Sequence, residues 1–120
     1  MKPTPIQVFA AYFLGIGTDW KYRFFNHNAL ARHFGLDPSV MTDLLQEYRL
    51  TPEFTRHVDY NLASAHATAQ GLAEDGTEPE VRAFVERTWA EFQAALGTFD
   101  PGRDFENVDY DDIWKDGNKA

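Results

Sequence analysis

The sequence predicts an all-α fold: a single compact bundle of five to six helices with a hinged two-helix corner and an acidic, irregular C-terminal tail. Three observations carry this. Apolar residues recur at spacings of three and four along most of the chain, the period of a helix with one buried face. Start and stop signals punctuate those runs, namely a hydroxyl or carboxylate residue followed by proline at the starts and glycine at the ends. Alternating β-type runs bounded by hairpin turns are absent. The length of 120 residues fits one domain. We place the helical domain at residues 1–97 and the tail at 98–120.

In chain order, Thr4-Pro5 opens the first helix, because proline at the first turn loses no intrahelical hydrogen bond. Ile6, Phe9, Ala10 and Phe13 form its inner face and Gly15 closes it. Asp19 is expected to cap a second helix carrying Trp20, Tyr22, Phe24 and Phe25, interrupted at Asn26-His27-Asn28. Asn28 then caps a short helix from Ala29 to Phe34, and Gly35 suits a left-handed turn after it. Asp37-Pro38 starts a helix that buries Met41, Leu44 and Leu45. Thr51-Pro52 starts another, with Phe54, Val58, Leu62, Ala65 and Ala69 inward, Gly71 as its stop and 74–76 as a loop. Thr77 and Glu80 have the spacing of a capping box ahead of Val81, Val85, Thr88, Trp89, Phe92 and Leu96, with Gly97 as the end. Beyond Thr98 come a turn signal at Asp100-Pro101-Gly102, many acids, and the aromatic and aliphatic residues Phe105, Tyr110, Ile113 and Trp114. These are too apolar for a wholly solvated tail, so they are expected to dock on the domain or on a partner.

Composition removes several function classes. The chain has no cysteine, which excludes disulfides, thiolate metal sites and cysteine nucleophiles and fits a cytoplasmic protein. Its longest apolar run, 6–16, is far short of the ~20 residues of a bilayer span. Two prolines in the first five residues, the aromatics within that run and the lack of an Ala-x-Ala site argue against export. The net charge of −8 lies wholly in 74–120, which hold thirteen acids and five bases, whereas 1–73 hold six of each. Such a surplus repels phosphate and anionic membrane and favours a basic partner.

The stretch "LARHFGLDPSVMTDLLQEYRL" concentrates the functional question. A short helix with the small Ala31 at the crossing, Gly35 at the turn, and a second helix with apolar residues on one side resembles the bacterial helix-turn-helix family. The likeness covers residues 29–48. It implies a tri-helical, helix-turn-helix-like corner whose second helix points Ser39, Val40, Thr42, Asp43, Gln46 and Glu47 outward toward a partner. In that family the outward face supplies cations for phosphate. Here it carries carboxylates, and the nearby bases Lys21, Arg23, Arg32, Arg49 and Arg56 are few. Duplex DNA is therefore disfavoured and a protein partner expected, with Val40, Leu36 and Tyr48 as a contact patch. Two other arrangements stay open: the acidic tail folding over the basic positions as a mimic of phosphate, and a plain helical bundle with no ligand at this corner.

No catalytic constellation emerges. Glu53 and His57 stand one helical turn apart but lack a second such pair, and His57 and His66 would fall on opposite faces. Ser39 and Ser64 are the only serines, and Ser64 does not face His66. Gly15-Ile16-Gly17 lacks the strand and the Gly-Lys-Ser/Thr of a phosphate loop, and Asp109, Asp111 and Asp112 lack calcium-loop spacing. No metal or cofactor is expected. Trp20, Phe24, Phe25, Trp89 and Phe92 are expected in the core, some of them with Tyr22 forming an exposed docking patch. A second likeness, of "DPSVMTDLLQEYRLTPE" and the helix after it, is to the small helical subunit of extradiol ring-cleaving dioxygenases, without that family's Gly-Gly. It implies an accessory subunit with no catalytic residue of its own. The expectation is thus a small non-enzymatic regulator or adaptor that binds a protein through Ser39, Val40, Thr42, Asp43, Gln46, Glu47 and the tail residues Phe105, Tyr110 and Trp114. An accessory subunit or a DNA-binding regulator are the alternatives, and a homo-oligomer is compatible with either.

Overall fold

Thr4 accepts the Gln7 amide hydrogen bond while the Gln7 side chain accepts the Thr4 amide, so a complete capping box starts α1, Pro5–Leu14. The computed structural model describes residues 2–105, and among them all regular structure is helical. Five helices have at least seven residues: α1, α2 (His27–His33), α3 (Pro38–Glu47), α5 (Leu62–Asp75) and α6 (Glu78–Ala95). A single turn, α4 (Pro52–Thr55), lies between α3 and α5, and a 3₁₀ turn, Leu96–Thr98, extends α6. The all-α bundle expected from periodicity is what forms.

The core is built around α1. It packs against α5, α6 and α2, and α5 packs on α6. Val8, Phe9 and Leu14 of α1 are fully buried with Val85, Thr88 and Phe92 of α6. The Phe9 ring lies 5.1 Å from Trp89 and 5.2 Å from Phe92, within the range where tilted aromatic pairs attract beyond their area burial. The periodic face expected for α6 is the face it buries.

Residues 16–25 depart from expectation. Asp19 caps no helix; the chain makes a tight hairpin-like excursion with a single antiparallel bridge between Ile16 and Tyr22. Gly17 N–H donates to Lys21 O and Arg23 N–H to Gly15 O, consuming the amides a helix would need. Asp19 instead accepts the Lys21 amide and pairs with Arg23 at 2.6 Å. The alternation of Trp20 and Tyr22 inward with Lys21 and Arg23 outward was a period-two signal hidden in an aromatic run. Tyr22 donates to His66 Nε2 at 2.7 Å, and His66 Nδ1–H donates to Phe13 O, which ties the excursion to α5 and α1. Phe25 is buried as expected, Trp20 is half-buried, and Phe24 is 75% exposed rather than in the core.

Two other boundaries shift. Asn26, not Asn28, caps α2, accepting the Ala29 amide at 2.8 Å. The long helix expected from Pro52 to Gly71 is two. The chain turns over 56–61, and Asn61 accepts the Ser64 amide to start α5 afresh. Gly71 sits inside α5 and stops nothing; Gly76 follows its last residue. The break is stabilised by residues 98–105, which strap across it. Asp59 N–H donates to Thr98 Oγ1, Asp100 N–H to His57 O, and Phe105 N–H to Arg56 O. Phe99 stacks on Phe54 at 4.5 Å, His57 Nδ1 bonds Arg103 O, and Arg56 pairs with Asp104 at 2.6 Å. The first part of the tail thus docks on the domain itself. Because of the break, Glu53 and His57 do not share a helix, nor do His57 and His66.

Both ends of the α2–α3 corner carry the same hydrogen-bond closure. After α2, Leu36 N–H reaches Ala31 O and Gly35 N–H reaches Arg32 O, with Gly35 left-handed at φ 67. After α3, Leu50 N–H reaches Leu45 O and Arg49 N–H reaches Gln46 O, with Arg49 left-handed at φ 57. A Cβ in that conformation costs about 1–2 kcal/mol. Arg49→Gly removes the strain but gives the unfolded chain more freedom, so a net gain of about 0.5–1 kcal/mol is expected in urea unfolding.

Candidate functional site

The outer face of α3 gathers most of the residues singled out by sequence. Successive helical residues turn by about 100°, so Ser39, Val40, Thr42, Asp43, Gln46 and Glu47 fall within an arc of about 160°. All six are exposed, while Met41, Leu44 and Leu45 point into the core. Ala31 is buried where α2 meets α3, the place expected of the small crossing residue. His27 Nε2–H donates to Pro38 O at 3.0 Å and lies 3.1 Å from Thr42 Oγ1, which itself donates to Pro38 O. Thr42 is therefore partly engaged in holding the corner shut.

A shallow depression of about 370 Å³ runs along this face, with Leu36, Val40 and Leu44 as its apolar floor and Lys2, Asp43 and Glu47 at its edges. Val40 is 43% exposed, one of only three large apolar side chains so open among the described residues. Lys2 was not foreseen here. Its ammonium pairs with Glu47 at 2.7 Å, and that hydrogen bond raises the Lys2 pKa. The N-terminal segment is brought alongside by Tyr48, whose hydroxyl donates to Pro3 O at 2.6 Å. Lys2 also lies 5.7 Å from the centre of the Tyr48 ring. Nothing local in the sequence joins residues 2–3 to 47–48. Of the carboxylates that seemed misplaced on this helix, Glu47 tethers Lys2 and Asp37 stands at the helix N-terminus, where negative charge is favoured. Asp43 remains at the edge of the depression.

Phe105 does not join this face. It lies on the strap, its amide bonded to Arg56 O and its ring 4.5 Å from the Arg103 guanidinium. Tyr110 and Trp114 lie outside the described residues. No group of three or more His, Asp or Glu side chains among the described residues could hold a metal. No helix among them is long and apolar enough to cross a membrane.

One histidine away from α3 titrates with a structural consequence. His33 Nε2 accepts the Thr18 amide at 3.1 Å and lies 3.2 Å from Thr18 Oγ1, with its ring 5.0 Å from those of Phe25 and Phe34. Burial lowers its pKa below 6.5, Arg23 lowers it further, and Asp19 opposes both. The unfolded chain therefore takes up this proton first as pH falls. The stability His33 contributes is complete above its unfolded pKa and is lost as pH drops below 6.5. Urea midpoints between about pH 5 and 8 should fall on the acid side more in the native protein than in His33→Gln.

These features define a small all-α protein with a Gly35-hinged α2–α3 corner and an exposed, mixed apolar and acidic helix face. Comparison with protein-family models, curated proteins and solved structures returned no match.

Proposed function

We propose that this protein is a non-enzymatic adaptor or regulator that binds a protein partner through the outer face of α3, acting in the cytoplasm. The observation that carries the proposal is Val40, exposed over an apolar floor and flanked by Asp43 and Glu47. An apolar centre with a charged edge is the anatomy of a protein contact. The same face gives duplex DNA little to hold, because Lys2 is already paired with a carboxylate. The complementary partner is an amphipathic segment with apolar side chains for the depression and a cation for Asp43.

A photo-crosslinking side chain at Val40, compared with one at the exposed Ala90 of α6, tests this in the native host. The expected result is a discrete protein adduct from position 40 alone, lost in a Leu36→Asp background. A large catalytic chain in that adduct would identify an accessory subunit. The proposal fails if neither position captures a protein and duplex DNA is retarded at low salt with steep release as salt rises.

A further inference from the structure

On a different face, α1, the 15–23 excursion and α6 enclose a second cleft of about 260 Å³. Ile6, Ala10, Ile16 and Val85 supply its aliphatic surface, Trp20 a flat aromatic wall, and Glu86 the one formal charge at its lining. We propose that this cleft binds a small organic cation: an ammonium carried on an aryl or alkyl body of about ten heavy atoms or fewer, a size set by the volume.

One observation beyond the hollow points to a ligand of this kind, and it is charge. The Trp20 wall itself is placed by the turn: with Trp20 N–H donating to Gly17 O and Gly17 N–H to Lys21 O, Trp20 takes the left-handed position, φ 62, that closes a three-residue hairpin loop, and next door Thr18 is held by His33. Glu86 is exposed and enters no ion pair among the described residues, although Arg82 stands one turn before it. Arg82 instead lies over the Trp20 ring at 4.8 Å. Arg82 is thus engaged with the indole and lies outside the lining, and Glu86 is the carboxylate that borders the apolar hollow.

Other polar groups at the rim are already committed. Thr4 Oγ1 and Gln7 Oε1 serve the α1 capping box. An anionic ligand would meet Glu86 directly, and a neutral one would gain only the apolar contacts. The binding step is therefore an ammonium placed at the Glu86 carboxylate with its body against Ile16, Val85 and Trp20.

The test titrates the 120-residue protein with 2-phenylethylammonium, following the Trp20 indole N–H and the Ile16 and Val85 methyl resonances by NMR. 2-Phenylethanol and 3-phenylpropionate serve as neutral and charge-reversed probes. The amine should give saturable shifts confined to this cleft, at least about fivefold tighter than the alcohol, with the acid weakest. Glu86→Gln should bring the amine down to the level of the alcohol while the alcohol is unchanged. Equal binding of the three probes, no saturation by the amine up to about 20 mM, or an unaltered amine affinity in Glu86→Gln overturns the proposal. Glu86 makes no described hydrogen bond, so the exchange leaves the fold in place, which far-UV circular dichroism verifies.

Discussion

Gly15→Ala is expected to destabilise the protein by about 3–4 kcal/mol, a large share of the 5–15 kcal/mol typical of a folded domain. Two costs add. Gly15 sits at φ 73, where a Cβ alone costs about 1–2 kcal/mol. That Cβ would also stand 2.5 and 2.8 Å from the Tyr22 ring and 2.9 Å from the Arg23 carbonyl oxygen. The oxygen belongs to backbone whose own amide bonds Gly15 O at 2.8 Å, so it cannot retreat without opening the excursion. The Tyr22 ring is held by its hydrogen bond to His66. Urea unfolding should show a midpoint lowered by roughly 2 M with an unchanged slope. Gly35→Ala provides the comparison: it shares the positive φ but has nothing within 4 Å of its Cβ position. It should cost only the conformational part, and equal effects for the two variants would refute the steric argument.

Phe9→Ala should cost about 3–5 kcal/mol. Phe9 is fully buried at the meeting of α1 and α6, with Trp89, Phe92 and Phe13 around its ring at 5.1, 5.2 and 5.9 Å. Truncation removes the ring's burial and leaves a cavity between elements that cannot collapse far, because α1 is also fixed against α5 and α2. Trp89 loses its nearest ring partner, so its fluorescence should change in the folded variant. Phe24→Ala is the matched control. That ring is 75% exposed, and its loss should move the midpoint little.

The proposed contacts of α3 and of the second cleft are separable. The first rests on Val40 and its flanking carboxylates, the second on Glu86 and Trp20, and no residue lines both hollows. Crosslinking from position 40 and titration with an amine therefore succeed or fail independently.

What the sequence determined by itself was local. Thr4-Pro5 and the Thr77–Glu80 box each place a helix start correctly, because capping depends on atoms within three or four residues of one another. Asp37-Pro38 also marks its start, through the proline at the first turn, since the Asp37 side chain makes no cap hydrogen bond. Gly35 and the inward Met41, Leu44 and Leu45 followed from the same short-range chemistry, and with them the outward set from Ser39 to Glu47. The tertiary structure decided whatever depends on partners far along the chain. The helix expected from Pro52 to Gly71 breaks at 56–61, where the backbone polar groups find better partners in 98–105. The aromatic run after Asp19 folds back as an excursion because Gly15 is left-handed there and Tyr22 reaches His66, 44 residues away. The edge of the α3 depression is completed by Lys2, 45 residues from Glu47. Periodicity reports which face of a segment is apolar; it carries no information about which distant amide, carboxylate or ring will meet that segment, and such meetings fixed the strap, the excursion and both hollows.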